Sequence, residues 1–161
     1  MTLRFGSRRV PTTVRWPTVE TVSLVLVLCG ELSPTDPWVE NCVVVGLAGA
    51  HPCAIELAAL QWLSAHVGEF GAEGDHVLVA GGARAAKLAL AARDSGWPAL
   101  RRQLLVHPRF TARQPMPMNV AGAPPATVVY GARLDGGGRR YAARLRSAGV
   151  EVHEVRDDGR D

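Results

Sequence analysis

The chain has 161 residues, a length that fits one domain and allows about 70% of the unfolded chain's surface to be buried on folding. Apolar residues make up 47% and charged residues 20% of the sequence, proportions typical of a globular protein and not of a disordered or fibrous one. The formal charge of +3 comes from seventeen arginines and one lysine spread along the chain, so no basic stripe predicts nucleic-acid binding.

The N-terminal residues 1–20 show no clear period and form a poorly defined segment, with one candidate edge strand at 12–16. Arginines there precede the apolar run 22–28, an order that resembles a signal peptide ending at Cys29. The run is only about seven residues long, and Leu28 stands where processing needs a small side chain. A membrane span needs about twenty apolar residues. We therefore interpret the run as a buried strand and predict no membrane span.

Short β-branched apolar runs alternate with segments of helical period along the rest of the chain. Strands are predicted at 22–28, 42–47, 76–80, 103–107, 126–130 and 150–155. Helices are predicted at about 52–67, 84–94 and 139–148, and the proline-rich stretch 109–125 is predicted to be a loop. This alternation predicts an α/β fold, a three-layer α/β/α sandwich around a mostly parallel sheet of about six strands. We expect one domain over 1–161 that ends in a charged tail, 156–161.

The three cysteines, Cys29, Cys42 and Cys53, are odd in number and lack paired-thiol spacing. This pattern favours a reducing, cytoplasmic location over a disulfide framework. A zinc site needs about four well-spaced ligands, and only His51 and Cys53 stand close together. The sequence therefore predicts no metal site and no cofactor.

The segment 77–89 combines a short apolar strand, a turn of small residues and the start of a helix. Such a junction is where many α/β enzymes present a nucleophile or bind a phosphate. The centre of this turn is Ala83, whose side chain can do neither. Arg84 and Lys87 follow the turn, so phosphate binding at Gly81-Gly82 stays open as an alternative, although both standard glycine-rich phosphate motifs are absent.

Eight segments of the sequence occur in the order found in one enzyme family. They are VVV (43–45), HP (51–52), AALQWL (58–63), VLVAG (77–81), ARDSGWP (92–98), QLL (103–105), PPATVVYG (124–131) and RYAARL (140–145). In this order they resemble the hormone-sensitive-lipase branch of the α/β-hydrolases, bacterial esterases whose motifs include HGGG and GDSAG. The resemblance covers about residues 22–155. It implies a truncated, degenerate α/β-hydrolase-like member of a carboxylesterase and lipase family.

The resemblance also implies where the catalytic groups of an esterase should lie. The GDSAG motif corresponds to residues 81–85, so Gly81, Ala83 and Ala85 occupy the positions of a degenerate nucleophile elbow and Ala83 replaces the serine. The HGGG loop corresponds to residues 29–32, where Cys29 and Gly30 are the degenerate oxyanion-loop positions. Only one glycine of that loop survives.

The two remaining members of the triad are also altered. The position of the family's acid holds Leu134, and Asp135 one residue later is a weak candidate. The family's histidine follows the last strand, whereas this sequence has no histidine after His153, which lies within a strand pattern. No intact catalytic residue is therefore predicted.

These observations predict a non-catalytic binding or interaction domain, and they leave open whether the chain is an enzyme. The alternative is a weak or rearranged carboxylic-ester hydrolase that uses Cys29 or Asp135, or a site completed by another chain. The partner is predicted to be a small molecule or a protein. Self-association is a further alternative, because the sheet lacks the strands that normally begin this fold and would expose an edge.

Overall fold

The computed structural model describes residues 1–18, 23–28, 32, 36–131 and 137–157. Eight strands are formed within them: β1 (Thr2–Phe5), β2 (Arg8–Arg15), β3 (Leu24–Leu28), β4 (Val43–Leu47), β5 (Val77–Gly81), β6 (Arg102–Val106), β7 (Ala126–Gly131) and β8 (Val152–Asp157). The α-helices are α1 (Cys53–Ala65), α2 (Ala83–Ser95) and α3 (Gly137–Ser147), and there are 3₁₀ helices at Pro37–Val39 and Val67–Phe70. None of the helices in these ranges is long and apolar enough to cross a membrane.

The eight strands form one sheet in the order β1-β2-β4-β3-β5-β6-β7-β8. Strands β3 to β8 are parallel, whereas β2 runs antiparallel to β4 and β1 antiparallel to β2. The register pairs Gly81 with Leu105 and Gly131 with Asp157. The C-terminal ends of the six parallel strands therefore lie along one border of the sheet, which we call the carboxyl edge. Ligands of open parallel sheets bind at this edge.

The six strands and three helices predicted from the sequence are all present, with ends within two residues of the prediction. Residue 22, at the start of the first predicted strand, lies outside the described residues. Parallel strands covered on both faces are continuously apolar, and the sequence of β3 and β4 has this pattern. The mostly parallel α/β sheet is confirmed.

The two ends of the chain differ in part from the prediction: the candidate strand at 12–16 overlaps β2, but β2 is not an edge strand and the residues before it are ordered. Residues 1–20 contain a hairpin of β1 and β2 that turns at Gly6, where φ is 62°. The buried side chains of β2, Val10 and Thr12, alternate with exposed residues, one of which is Pro11, a residue type that central strands disfavour. Pro11 is tolerated because its carbonyl oxygen still accepts the Ala48 N–H at 3.0 Å. The predicted charged tail is also shorter, because Arg156 and Asp157 belong to β8.

The sheet therefore has eight strands in the described residues, not about six. The expectation that the opening strands of the fold are missing is wrong, since β1 and β2 are those strands. The two outer strands are β1 and β8. Each of them has a neighbouring strand on one side only among the described residues.

The two faces of the sheet are packed against different elements. On the first face, alternate strand residues such as Leu26 and Val79 are buried against Leu60, Leu88 and Leu145 of the three α-helices. On the second face, the complementary strand residues pack against Leu32 and Val39. All three α-helices thus cover the first face. In the part of the chain that is described, the third layer of the predicted sandwich is the 3₁₀ helix Pro37–Val39 with Leu32, and not an α-helix.

Tyr141 of α3 is completely buried on the first face, where its ring centroid lies 5.1 Å from that of Phe110. Its hydroxyl group has no hydrogen-bond partner among the described residues. Burial raises the pKa of Tyr141 to about 12, while the charges of Arg93 and Arg144 act in the opposite direction. The side chain therefore stays neutral far above the pH at which an exposed tyrosine ionises.

Candidate functional site

The strand, turn and helix start predicted at 77–89 are present as β5, the turn at Gly82 and α2, and this turn lies at the carboxyl edge. Gly82 caps α2 with φ −107° and ψ −127°, and Ala83 is the first residue of the helix. Ala83 is 6% exposed, and its φ is not positive. Among the described non-glycine residues, only His107 has a positive φ. A nucleophile elbow holds its serine in a sharp, strained turn. The backbone at Ala83 is instead that of an ordinary helix start.

A buried ion pair joins α2 to α1 beside this turn. The carboxylate of Glu56 accepts a hydrogen bond from Nη2 of Arg84, and Glu56 is only 2% exposed. Each charge lies largely out of water, so the pair holds the two helix starts together. The charge of Arg84 is compensated by Glu56, which weakens the alternative of phosphate binding at the Gly81-Gly82 turn.

Cys53 begins α1 and lies close to the same ion pair. Burial raises the pKa of the Cys53 thiol, and Glu56 raises it further, while Lys87 and Arg84 lower it. Burial likewise raises the pKa of Cys42. The thiolate is the reactive form of cysteine, so both groups are poor nucleophiles at neutral pH.

A histidine and an aspartate meet at the carboxyl edge on the other side of β5. His107 directly follows β6 and has a φ of 45°, and its Nε2 lies 3.3 Å from Oδ2 of Asp157, the last residue of β8. The imidazole ring lies over Gly131 of β7. A Cβ atom added to Gly131 would lie 3.6 Å from Cε1 of the ring, so the ring packs close to this glycine. Backbone outliers such as His107 are concentrated at functional sites.

One ring nitrogen of His107 contacts a carboxylate, and the other is buried. Nε2 faces the carboxylate of Asp157, whereas Nδ1 is buried and has no hydrogen-bond partner among the described residues. In the neutral ring, the proton is therefore assigned to Nε2 and the lone pair to the buried Nδ1. Neither nitrogen is open to take a proton from a bound molecule. His107 can orient Asp157, but it is not placed as a general base.

A cleft of about 530 Å³ opens beside this pair. It is lined by Asp36, Pro37, Trp38, Val106, His107 and Asp157. The indole of Trp38 forms one wall and is 38% exposed. The Asp36 side chain accepts the backbone N–H of Trp38 at 3.3 Å and so caps the 3₁₀ helix that carries this wall. The volume falls within the range of about 300–1,000 Å³ found for small-molecule sites.

One group of side chains in the described residues could hold a metal ion by proximity. The ligand atoms of Glu73, Asp75 and His76 lie within 4.8 Å of one another, and both carboxylates are exposed. Nη1 of Arg101 lies 2.6 Å from Nε2 of His76. A guanidinium at that distance competes with a cation for the histidine, so we assign no metal to this group.

Solved structures that resemble this chain include esterases. An arylesterase superposes with a TM-score of 0.81 at 18% identity, over 98% of this chain and 75% of that chain. A mutant of an alpha/beta hydrolase enzyme from the metagenome of Lake Arreo gives 0.81 at 20%, over 99% and 72%. A thermostable esterase from Pseudomonas putida gives 0.78 at 24%, over 97% and 71%. The chain has the α/β-hydrolase fold. Neither a protein-family model nor a curated protein sequence matches it.

Three of the six site positions predicted from the sequence lie at the junction of β5 and α2. Gly81 ends β5, and Ala83 and Ala85 lie in the first turn of α2, where both are buried. Cys29, Gly30 and Asp135 lie outside the described residues.

Four residues at the carboxyl edge of this α/β-hydrolase fold were missed in the sequence: Glu56, His107, Asp157 and Trp38. Glu56 precedes Ala59, Leu60 and Leu63 at the spacing of a buried helix face, a signal that could have identified it. The sequence pattern predicts that His107 ends a strand and that Asp157 belongs to the charged tail. Their position at the ends of parallel strands was the available signal. Trp38 follows a turn-rich segment, and the sequence around it contains no signal that indicates a role at the site.

Proposed function

We propose that this protein is a non-catalytic binding domain with the α/β-hydrolase fold, which resembles carboxylesterases and lipases but lacks an intact catalytic triad. The observation that carries the proposal is Ala83. It stands where the resemblance requires the nucleophilic serine, and its methyl group cannot attack an ester carbonyl. Its burial and helical backbone support the proposal further, because a group at this position is not presented to a substrate.

The histidines also support this proposal. All five histidines of the sequence lie in described residues, and only His51 and His107 are near the carboxyl edge. His51 follows β4, which β3 separates from β5, a lateral offset of about 10 Å. Its Nε2 lies 2.7 Å from the carbonyl oxygen of Ala48. His107 is committed to Asp157, so neither histidine is placed to activate a group at residue 83.

The binding function is assigned to the cleft beside Asp157 and Trp38. What supports this is its location at the carboxyl edge, its volume of about 530 Å³ and its mixture of apolar and charged walls. The strained backbone of His107 supports it as well, since the surrounding structure must hold that residue in place. We infer that the partner is a small molecule.

The native protein is expected to hydrolyse p-nitrophenyl acetate and butyrate no faster than a heat-denatured sample at the same concentration. The reason is the lack of a nucleophile at residue 83. Turnover is measured by absorbance across the fractions of a size-exclusion column. A saturable rate that follows the protein peak would contradict the proposal and would favour the alternative, a weak or rearranged carboxylic-ester hydrolase.

Self-association is the second candidate interaction. The outer strand β8 has six residues and a neighbour on one side only, so a second copy could pair with it. Light scattering distinguishes one chain of 17.2 kDa from a dimer.

We propose a cytoplasmic location on the cysteine pattern. Cys42 and Cys53 are free thiols, the state expected in a reducing compartment.

A further inference from the structure

We propose that the cleft between Trp38 and Asp157 binds a small organic cation, an ammonium group attached to a short aromatic or apolar group. This inference rests on the proposed binding function and names the ligand class of the same site. It is argued from the charge, the spacing and the apolar surface of the cleft walls.

The charged groups of the cleft favour a cation. Asp157 uses Oδ2 toward His107, and its Oδ1 has no hydrogen-bond partner among the described residues. Asp36 adds a second carboxylate to the lining. The carboxylates of Asp36 and Asp157 carry two negative charges, and no lysine or arginine of the described residues lines the cleft. An anionic ligand would be repelled, whereas an ammonium can donate to Asp157 in a charge-assisted hydrogen bond.

The spacing of the carboxylates favours an organic cation over a metal ion. Among the described residues, only the group around His76 has three ligand atoms within 4.8 Å of one another. The ligand atoms of Asp36, His107 and Asp157 therefore do not all lie within this distance of one another. A bare metal ion therefore cannot contact all three together. A molecule with an ammonium at one end can contact Asp157 and still extend across the cleft.

The apolar part of the lining provides a place for the rest of the ligand. Trp38, Pro37 and Val106 contribute an indole, a pyrrolidine ring and a branched aliphatic side chain. The indole is partly exposed although it is a large apolar group, so a ligand can cover it. A cation near the face of an indole is also attracted to its π electrons. The cleft thus combines an ammonium acceptor with an aromatic surface.

Benzylamine is the probe that tests this inference, with benzyl alcohol and phenylacetate as neutral and anionic counterparts. Binding is measured on the native protein by calorimetric titration at low salt. We expect benzylamine to bind at least tenfold more tightly than either counterpart, because only benzylamine donates a charged hydrogen bond to Asp157. Equal or tighter binding of benzyl alcohol or phenylacetate would overturn the assignment of the ligand class.

Two pairs of variants locate the binding. Asp157→Asn is expected to weaken benzylamine binding about tenfold and Trp38→Leu about threefold. The matched controls are Asp75→Asn and Trp97→Leu, which change exposed residues outside the cleft and should leave the affinity unchanged. Unfolding midpoints of all four variants are compared with that of the native protein. If Asp157→Asn does not fold, the affinity of Trp38→Leu for benzylamine decides whether the ligand binds in the cleft.

The possible failures of this inference and of the proposed function are distinguishable. Binding of benzyl alcohol at the cleft without binding of benzylamine overturns the organic cation and leaves a non-catalytic binding domain. Benzylamine binding that neither cleft variant weakens overturns the site. Ester turnover by the native protein overturns the proposed function whatever the titrations give.

Discussion

Replacing Arg84 by methionine is expected to lower the free energy of unfolding by about 3 kcal/mol. Glu56 is buried between α1 and α2, and Arg84 supplies the positive charge next to its carboxylate. Methionine keeps most of the volume of the arginine stem and removes the charge, so the buried carboxylate of Glu56 loses this positively charged partner. The measurement is urea unfolding at neutral pH, followed by circular dichroism.

Two further variants separate this effect from a general change in α2. Lys87→Met removes a positive charge from an exposed position of the same helix and should change the unfolding free energy by less than about 0.5 kcal/mol. The double variant Glu56→Leu/Arg84→Met removes both charges and should be within about 1 kcal/mol of the native protein. A loss below about 1 kcal/mol for Arg84→Met alone would show that the ion pair does not hold the two helices.

Raising the pH from 10 to 12 is expected to cost the native protein about 2 kcal/mol of stability through Tyr141 alone. Burial raises the pKa of Tyr141 from 10.0 to about 12. Below pH 10 the phenol is neutral in both the folded and the unfolded state, so its contribution to stability is fully present. Between these two pKa values the unfolded chain loses the proton and the folded chain keeps it. Stability is therefore lost as the pH rises toward 12.

The two tyrosines of the sequence form a matched pair for this measurement. Tyr141→Phe removes the buried hydroxyl group and should flatten the alkaline loss, whereas Tyr130→Phe changes a half-buried residue and should retain it. Urea unfolding is measured for the native protein and both variants at pH 9, 10, 11 and 12. If the free energy of unfolding of the native protein and of Tyr141→Phe fell in parallel with rising pH, the alkaline loss of stability would not be due to Tyr141.

The central part of this fold could be predicted from the sequence because its strands are buried on both faces. Strands such as Leu24–Leu28 and Val43–Leu47 are continuous apolar runs, and only a parallel sheet between layers fits them. The hairpin of β1 and β2 was less predictable. Its buried side chains alternate with arginines and threonines, and Pro11 interrupts the strand pattern.

The candidate site was harder to predict because its residues are distant in the sequence. His107 and Asp157 are 50 positions apart, and they meet only because β6, β7 and β8 are neighbours in register. No local pattern contains this information. The proposed loss of the nucleophile was different, since the motif around Ala83 could be compared directly with the pattern of the family that the sequence resembles. Sequence comparison therefore suggested this proposal, and the fold was needed to find the cleft.

The most direct measurement of the central claim is p-nitrophenyl acetate turnover by the Ala83→Ser variant, side by side with the native protein. The claim is that the ester chemistry at this turn has been lost beyond the nucleophile itself. Serine at residue 83 would be buried at a helix start, with no histidine placed to take its proton. We predict that both proteins hydrolyse the ester at the background rate. A saturable rate for Ala83→Ser about 10³-fold above the background would contradict the account, because that rate requires a catalytic site that still surrounds the turn.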